Sequence, residues 1–141
     1  MLKVTCAIII QQNKILVTQR NDHSDHPLKW EFPGGKLITG ETVEECIIRE
    51  IWEELEIEIE ILESMVSVNH DYGFRQIQLI PFLCIIKSGE IKLNEHHDFD
   101  WVIFEDLEKI DFAAADQKLI QHPGNKNILE KYLWKNMNDS R

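Results

Sequence analysis

Positive charge is scarce in this sequence. Its 141 residues include 15 lysines and arginines against 25 aspartates and glutamates, which gives a formal net charge of −10 with histidine neutral. A surface with this balance repels the phosphates of nucleic acids and of anionic lipids. We therefore expect neither a nucleic-acid polymer nor a membrane as partner. A single nucleotide is not excluded, because metal ions can bridge acidic side chains and phosphate groups.

Cysteine and long apolar runs are also rare. The three cysteines, Cys6, Cys46 and Cys84, are scattered and form no C-x-x-C pair, so they do not indicate a disulfide framework. No segment approaches the ~18–20 apolar residues of a membrane span. Val4–Ile10 is too short for a signal peptide and lacks its cleavage pattern. These absences predict a reduced, cytoplasmic setting.

The remaining composition is that of an ordinary globular protein, with 43% apolar and 28% charged residues. The length suits one domain, and the sequence shows no repeat, no linker and no change of composition that would mark a second. We therefore expect residues 1–141 to form a single domain, in a monomer or a homodimer.

Runs rich in β-branched residues predict a sheet. Val4–Ile10 and Ile15–Arg20 are separated by a polar turn and predict a hairpin. Glu58–Asn69 begins by alternating acidic and apolar residues, as a half-exposed strand does. A second long strand is predicted over Arg75–Lys87, where Pro81 indicates an edge position or a bulge.

The second half of the chain predicts one more strand and two helices. Phe99–Phe104 has strand character, and we expect Trp101 to lie in the core. Glu105–Ile110 suits a short helix, and Leu119–Met137 suits a longer one that is interrupted at Pro123-Gly124. Strands that alternate with helices in this way predict an α/β architecture.

The loop between the first hairpin and the glycine-rich segment, Asn21–Lys29, carries His23 and His26. Two histidines invite a metal hypothesis, but no partner cysteines and no suitably spaced histidines follow them. We therefore interpret both as surface residues.

Most of the candidate functional residues lie between residues 34 and 57. A pair of glycines predicts a turn that leads into a helix over Thr42–Ile57. The helix carries three carboxylates at positions i, i+3 and i+4, which share one face and repel one another: Glu50, Glu53 and Glu54. Such clustered oxygens favour a hard cation such as Mg²⁺, which commonly brings phosphate with it. A solvated acidic face is the alternative, and these residues alone do not decide between the two.

The phase of this helix predicts how it is held. At about 100° per residue, the glutamates share a stripe with three residues of the first turns: Val43, Cys46 and Ile47. An adjoining stripe is apolar throughout: Ile48, Ile51, Trp52 and Leu55. We therefore expect the helix to be embedded along its apolar stripe, with the carboxylates turned toward a cleft.

The same segment resembles the signature of the Nudix hydrolases, G-x5-E-x7-R-E-U-x-E-E-x-G-U, in which U is aliphatic. Gly35, Glu41, the run Arg49–Leu55 and Ile57 match every fixed position except one. Glu56 stands where the family has glycine. We interpret this departure as a change in how the helix ends, because a residue with a Cβ loses about 1 kcal/mol when φ is positive.

The resemblance implies an α/β/α sandwich around a mixed β-sheet, and hydrolysis of a nucleoside diphosphate that is linked to another group. It also implies Mg²⁺ as cofactor, with Mn²⁺ as a substitute. The implied metal ligands are four carboxylates and a backbone carbonyl: Glu50, Glu53, Glu54, Glu95, and Gly34 or Gly35.

The resemblance assigns catalytic roles as well. Either Glu50 or Glu95 would act as general base. Arg49 would orient the carboxylates through a charge-assisted fork, and Glu41 would complete the outer shell of the metal site. For Arg49 and Glu41 the alternative is an ordinary surface ion pair.

Within the family, the sequence resembles the MutT-like nucleoside triphosphate pyrophosphohydrolases. The run Leu28–Lys36 is similar to their K-x-E-F-P-G-G-K segment, and Thr18-Gln19-Arg20 is similar to their T-R-R. This likeness implies that two cations meet the phosphates: Arg20 and Lys36. It places three residues around the base: Phe32, Tyr72 and Arg75. Plain core packing is an equal alternative for the two aromatic side chains.

Asp116 bears on the choice of base. Phe112–Asp116 resembles the F-x-P-A-N segment of MutT, in which the asparagine reads an oxidised guanine. An ionised aspartate only accepts hydrogen bonds, which suits the exocyclic amino group of cytosine, whereas a buried, protonated aspartate would also donate. Cytidine triphosphate and 8-oxo-dGTP are therefore both candidate substrates. The alternative role of Asp116 is a helix N-cap ahead of Leu119-Ile120.

Together these features predict Mg²⁺-dependent hydrolysis of a nucleoside triphosphate to the monophosphate and pyrophosphate, an activity that would sanitise the nucleotide pool. Alternatives are hydrolysis of another nucleoside diphosphate derivative and a catalytically idle nucleotide sensor. The retention of Arg49 together with all three helix glutamates argues against a sensor. A calcium-stabilised acidic domain is disfavoured, because the sequence has no D-x-D-x-D-G loop.

Overall fold

The computed structural model describes the backbone of residues 1–139 and the side chains of residues 1–133. The strands in this part of the chain are β1 (Leu2–Gln11), β2 (Lys14–Gln19), β3 (Trp30–Glu31), β4 (Gly34–Lys36), β5 (Glu58–Ser64), β6 (Val68–Asp71), β7 (Gln76–Ser88) and β8 (Asp98–Val102). The helices are α1 (Val43–Leu55), a 3₁₀ helix (Phe104–Lys109), α2 (Ala114–Gln121) and α3 (Pro123–Asp139).

The centre of the sheet is the parallel pair β1 and β7, in which Leu2–Ile9 lies beside Ile77–Cys84. The other strand pairs of the described chain are antiparallel, so the sheet is mixed. Strand β4 pairs with β1, strands β5 and β6 share the far side of β7, and β2 joins β3 and β8 beyond the first hairpin. A parallel pair requires a long crossover, and α1 lies within that connection.

Helices cover both faces of the sheet because successive side chains of β1 point to opposite sides. Ala7 and Ile9 pack in one buried cluster together with residues of α1. Cys6, Ile8 and Ile10 pack in a second cluster together with residues of α2 and α3. The predicted α/β/α sandwich around a mixed sheet is therefore confirmed.

Both ends of α1 have a specific cap. The Thr42 hydroxyl accepts from the Glu45 N–H at 3.1 Å, and the Glu45 carboxylate accepts from the Thr42 N–H at 2.8 Å, which is a capping box. At the other end Glu56 adopts φ 55° and ψ 36°, and its N–H donates to the Trp52 carbonyl at 2.9 Å. Glu56 therefore adopts the left-handed conformation that glycine favours, and the change in how the helix ends that we expected from the sequence is not observed.

The embedded stripe of α1 is shifted from the prediction. Ile51 and Leu55 are fully buried, but Ile48 and Trp52 are 41% and 55% exposed. The row that faces the sheet runs instead through Ile47, Ile51 and Leu55 at intervals of four residues. The prediction that Ile48 and Trp52 are embedded is therefore wrong.

The strand that flanks β7 is interrupted opposite Pro81, which explains why β7 tolerates a proline. The predicted strand Glu58–Asn69 is two strands, β5 and β6, both paired with β7. Pro81 thus lies in a central strand, and the predicted edge position is wrong. Its carbonyl accepts from the Met65 N–H at 3.0 Å, in the break between β5 and β6, so the missing N–H falls where the ladder is already interrupted.

Two predictions for the C-terminal half also need correction. Helix α2 begins at Ala114 rather than at Leu119, although the predicted interruption is confirmed, since α3 starts at Pro123. Trp101 is half-buried at the margin of the α1 cluster and does not lie in the core. Among the described residues, no helix combines the length and the apolarity that crossing a membrane requires.

Candidate active site

A cleft of about 380 Å³ lies between the C-terminal end of α1 and the hairpin that joins β6 to β7. Predicted site residues that line it are Arg20, Phe32, Gly34, Lys36, Glu54, Tyr72, Arg75, Glu95 and Asp116. The other predicted site residues lie outside its lining, on and around the outer side of α1: Gly35, Glu41, Arg49, Glu50 and Glu53. The two groups meet where β4 passes under the helix.

The glycine pair forms strand β4 rather than the predicted turn, because residues 34–36 pair with Val4–Cys6 of β1. A Cβ on Gly34 would overlap the Thr5 carbonyl, and a Cβ on Gly35 would overlap the Glu50 carboxylate. Glycine is therefore required at both positions by close approach, to the central strand in one case and to the acidic helix in the other.

Arg49 ties together the carboxylates on the outer side of α1. Its Nε and Nη2 donate to the two oxygens of Glu41 at 3.0 and 2.7 Å, and its Nη1 donates to Glu50 at 2.9 Å and to Glu53 at 3.2 Å. The fork from Arg49 lowers the pKa of Glu41 to about 2. Because the Glu41 side chain is only 12% exposed, this contact is more confined than an ordinary surface ion pair.

Glu54 is the helix carboxylate that faces the cleft. It is 6% exposed, and its Oε2 has no hydrogen-bond partner. Burial raises the pKa of Glu54 well above its ordinary value, and the charges of Glu31, Glu50 and Glu95 add to the effect. A cation beside Oε2 would satisfy this orphaned atom, so the residues present fit a divalent metal ion.

The other candidate metal ligands do not cluster around Glu54 Oε2. Glu50 and Glu53 are turned to Arg49, and Glu95 is exposed at the rim of the cleft. Within the described residues no three acidic, histidine or cysteine side chains converge as a metal-binding group. Their donor atoms are all oxygen, which is the set that Mg²⁺ prefers.

Glu31 and His96 are cleft residues that the sequence analysis missed. The Glu31 oxygens accept from Arg20 Nη1 at 2.7 Å and contact His96 Nε2 at 3.0 Å. Burial alone would raise the pKa of Glu31, but the hydrogen bond with His96 and the charge of Arg20 outweigh it and hold the pKa below its ordinary value. Arg20 also contacts Ser24. In this structure its hydrogen-bond partners are therefore Glu31 and Ser24, whereas the predicted partner was a phosphate.

Asp116 lies in the first turn of α2, whose N-cap is Ala113, so the predicted N-cap role is wrong. Its Oδ1 accepts from the Phe32 N–H at 2.9 Å. Burial, and then the charge of Glu31, raise the pKa of Asp116 well above its ordinary value. The pKa values of Glu31 and Asp116 are therefore shifted in opposite directions, that of Glu31 downward and that of Asp116 upward.

The aromatic residues divide into core and cleft. Phe32 is 3% exposed and packs on Phe112 at 5.1 Å between ring centroids. Tyr72 is half-buried and accepts a hydrogen bond from the Ala115 N–H. The imidazole of His26 is partly exposed in the cleft and lies 4.7 Å from the Tyr72 ring, so His26 is a surface residue that also contacts a cleft aromatic. His23, by contrast, is exposed.

The free cations of the cleft lie on its open side. Lys36 and Arg75 are both exposed, and the Arg75 guanidinium stands 5.8 Å from the centre of the Phe74 ring. Both side chains line the cleft.

Comparison with known proteins identifies the family of this chain. Residues 1–123 match the model of the NUDIX domain. The chain belongs to the Nudix family. It is accordingly a hydrolase that acts on phosphoric anhydrides, and the substitution of Glu56 for the family glycine has not removed it from that group.

Several Nudix relatives cover most of the chain. A CTP pyrophosphohydrolase of Escherichia coli K12 is 33% identical over 86% of this chain and 90% of its own length. An 8-oxo-dGTP diphosphatase of Buchnera aphidicola is 29% identical over 91% and 96% of the two chains. The solution structure of the Escherichia coli ORF135 protein superposes with a TM-score of 0.75 at 32% identity, over 86% of each chain.

Proposed function

We propose that this Nudix hydrolase cleaves a nucleoside triphosphate to the nucleoside monophosphate and pyrophosphate, with Mg²⁺ as cofactor. The observation that carries the proposal is that one cleft joins the buried, orphaned Glu54 carboxylate to two further carboxyl groups, the half-buried Glu31 and the buried Asp116. The first suits a metal-borne phosphate chain, and the other two suit the polar edge of a base.

At the metal end, Glu54 would hold the ion together with Glu95 and a β4 carbonyl of Gly34 or Gly35. When bound, Mg²⁺ offsets negative charge on the phosphate oxygens and lowers the pKa of a coordinated water. Arg49 binds one oxygen each of Glu50 and Glu53, so that the other oxygen of each carboxylate would be available to the ion. Lys36 would contact the phosphate chain.

The reaction is a hydrolysis at an interior phosphorus. Water adds to that phosphorus, its proton passes to Glu50 or Glu95, and the bond to the bridging oxygen breaks to release pyrophosphate. Comparing the pH dependence of kcat for Glu50→Gln and Glu95→Gln identifies which of the two receives the proton.

At the base end, the two carboxyl groups offer different atoms. Ionised Glu31 is an acceptor, and protonated Asp116 is a donor through the oxygen that Phe32 does not use. An adjacent donor and acceptor occur at N4 and N3 of cytosine, and at N7–H and O6 of 8-oxoguanine. The pair therefore supports both candidate bases, as do the relatives named for CTP and for 8-oxo-dGTP.

The test is pyrophosphate release across a panel of ordinary and oxidised ribo- and deoxyribonucleoside triphosphates with Mg²⁺. We expect CTP or 8-oxo-dGTP to lead the panel by kcat/KM. CTP in the lead assigns the cytidine preference, and 8-oxo-dGTP in the lead assigns the nucleotide-pool sanitising role. A panel on which every triphosphate is inert, while a nucleoside diphosphate sugar or similar derivative is cleaved, would overturn the proposal.

A further inference from the structure

We propose that His96 is a positioning residue for base selection, which holds the Glu31 carboxylate in the orientation that reads the substrate. This inference rests on the proposed function, since it concerns the base end of the same cleft. It gives a role to a side chain that the hydrolytic reaction does not itself require.

The first support is the environment of His96. Its side chain is 5% exposed, and its Nε2 lies 3.0 Å from Glu31 Oε2. Since the Glu31 carboxylate can only accept, Nε2 carries the hydrogen and donates it. The other ring nitrogen, Nδ1, is buried with no hydrogen-bond partner, so the contact with Glu31 is the one polar interaction of the ring in the described structure.

The second support is that Glu31 is held from two sides. Arg20 binds Oε1 at 2.7 Å while His96 binds Oε2. A carboxylate bound at one oxygen rotates about its last bond, but one bound at both oxygens has a fixed plane. The lone pairs that remain then point in set directions, which is what discrimination between base edges requires.

The third support is the way in which the loop carrying His96 is anchored. On its N-terminal side, the Asn94 N–H donates to the Glu54 carbonyl at 3.1 Å, and the Asn94 side chain donates to the Glu53 carbonyl at 2.8 Å. On its C-terminal side, the His97 N–H donates to the Gln19 carbonyl at 2.9 Å. His96 is therefore fixed to the end of α1 and to β2 at once.

A purely structural role is the competing explanation, because a buried imidazole also fills space. Four variants separate the two: His96→Leu, which keeps volume but removes the donor; His96→Gln, which keeps a donor at a similar reach; Glu31→Gln; and the double variant His96→Leu/Glu31→Gln. For each, kcat and KM are measured on the triphosphate panel, and the thermal midpoint confirms folding.

We expect His96→Leu to reduce the ratio of kcat/KM between the best and the worst base by about tenfold, the scale of a hydrogen bond to a charged group. Glu31→Gln should give the same pattern, His96→Gln should restore most of the ratio, and the double variant should be no worse than Glu31→Gln alone. If His96→Leu does not fold, the shorter His96→Asn, which cannot reach Glu31, replaces it.

Two results would overturn the proposal. One is a loss of kcat/KM by the same factor for every base, with the ratio unchanged. The other is a double variant whose losses multiply, which would show that His96 acts independently of Glu31. A wild-type protein that cleaves no triphosphate at all would instead remove the proposed function, and the base-selection role would fall with it.

Discussion

The Glu31 and Asp116 carboxyl groups line the same cleft, and their surroundings shift their pKa values in opposite directions. Arg20 and His96 bind the two oxygens of Glu31, whereas Asp116 is buried and accepts a hydrogen bond from the Phe32 N–H. Two titratable groups separated in this way commonly divide donor and acceptor roles between them. Substitutions of Asp116 can therefore test whether it donates or accepts a hydrogen bond at the base end of the cleft.

Asp116→Asn should preserve activity and base preference, whereas Asp116→Leu should lower kcat/KM by about tenfold or more. Asparagine keeps an oxygen for the Phe32 N–H and presents an amide donor where the protonated acid presented its hydroxyl. The measurement is kcat/KM on the leading triphosphate at pH 7. Equal losses in both variants would mean that Asp116 works as an ionised acceptor.

The same substitution should change how stability depends on pH. Because the pKa of Asp116 is raised on folding, the folded state binds more protons than the unfolded state above the ordinary aspartate value of about 3.9. The contribution of Asp116 is thus favourable at low pH and is lost as the pH rises toward its folded pKa. Urea unfolding should show that Asp116→Asn stabilises the protein at pH 8 relative to wild type, with the difference disappearing near pH 4.

Glu54→Gln should separate stability from activity. Without metal, the neutral amide avoids burying a charge that has no partner, so we expect the thermal midpoint at pH 7 to rise by at least about 2 °C. Added Mg²⁺ should raise the midpoint of the wild type but not of this variant, and turnover should fall by orders of magnitude. The matched control is Glu44→Gln, which removes an exposed charge from the same helix; a similar loss there would refute the metal role of Glu54.

Arg49→Lys should be far from conservative. The lysine ammonium cannot reproduce the fork to Glu41 and the simultaneous bonds to Glu50 and Glu53. We expect kcat to drop by about 10–100-fold, the range seen when groups that orient metal ligands are altered. Glu41→Gln should lose a comparable amount, and the double variant little more. Fully multiplicative losses would show that the two residues do not act through one another.

Glu56→Gly should stabilise the protein without changing turnover. Glu56 is held at φ 55°, where a side chain is unfavourable by about 1 kcal/mol relative to glycine. Chemical denaturation should show most of that gain. Glu56→Ala keeps a Cβ and is the control, because it should bring no comparable benefit; a gain of the same size from alanine would refute the backbone explanation.

The sequence predicted the outline of the molecule because secondary structure follows local patterns of apolar and polar residues. The helix predicted over Thr42–Ile57 was readable from its periodicity and is found as Val43–Leu55, but its Thr42 cap and the left-handed Glu56 were not predicted. The exposed Trp52 was misplaced because two neighbouring stripes satisfy the same period. Which stripe meets the sheet is decided by packing, and packing is absent from a single sequence.

The cleft shows the same limit more sharply. The run of glutamates pointed to a metal site, but only the fold shows that Glu54 enters the cleft while Glu53 stays with Arg49. Glu31 and His96 lie 65 positions apart in sequence, and no local pattern connects them. Each residue could nevertheless have been suggested separately as a site residue. His96 directly follows Glu95, a predicted metal ligand, and Glu31 precedes Phe32 in the run that resembles the MutT-like segment.

The hydrogen bond between Phe32 and Asp116 closes a span of 84 residues. During translation the acidic helix and the first hairpin leave the ribosome long before α2 does, since chains are made from the N-terminus at about 5–20 residues per second. Under the proposed function, the nascent chain would thus expose the glutamates of α1 for several seconds before Asp116, the proposed base-reading residue, is available to bind Phe32.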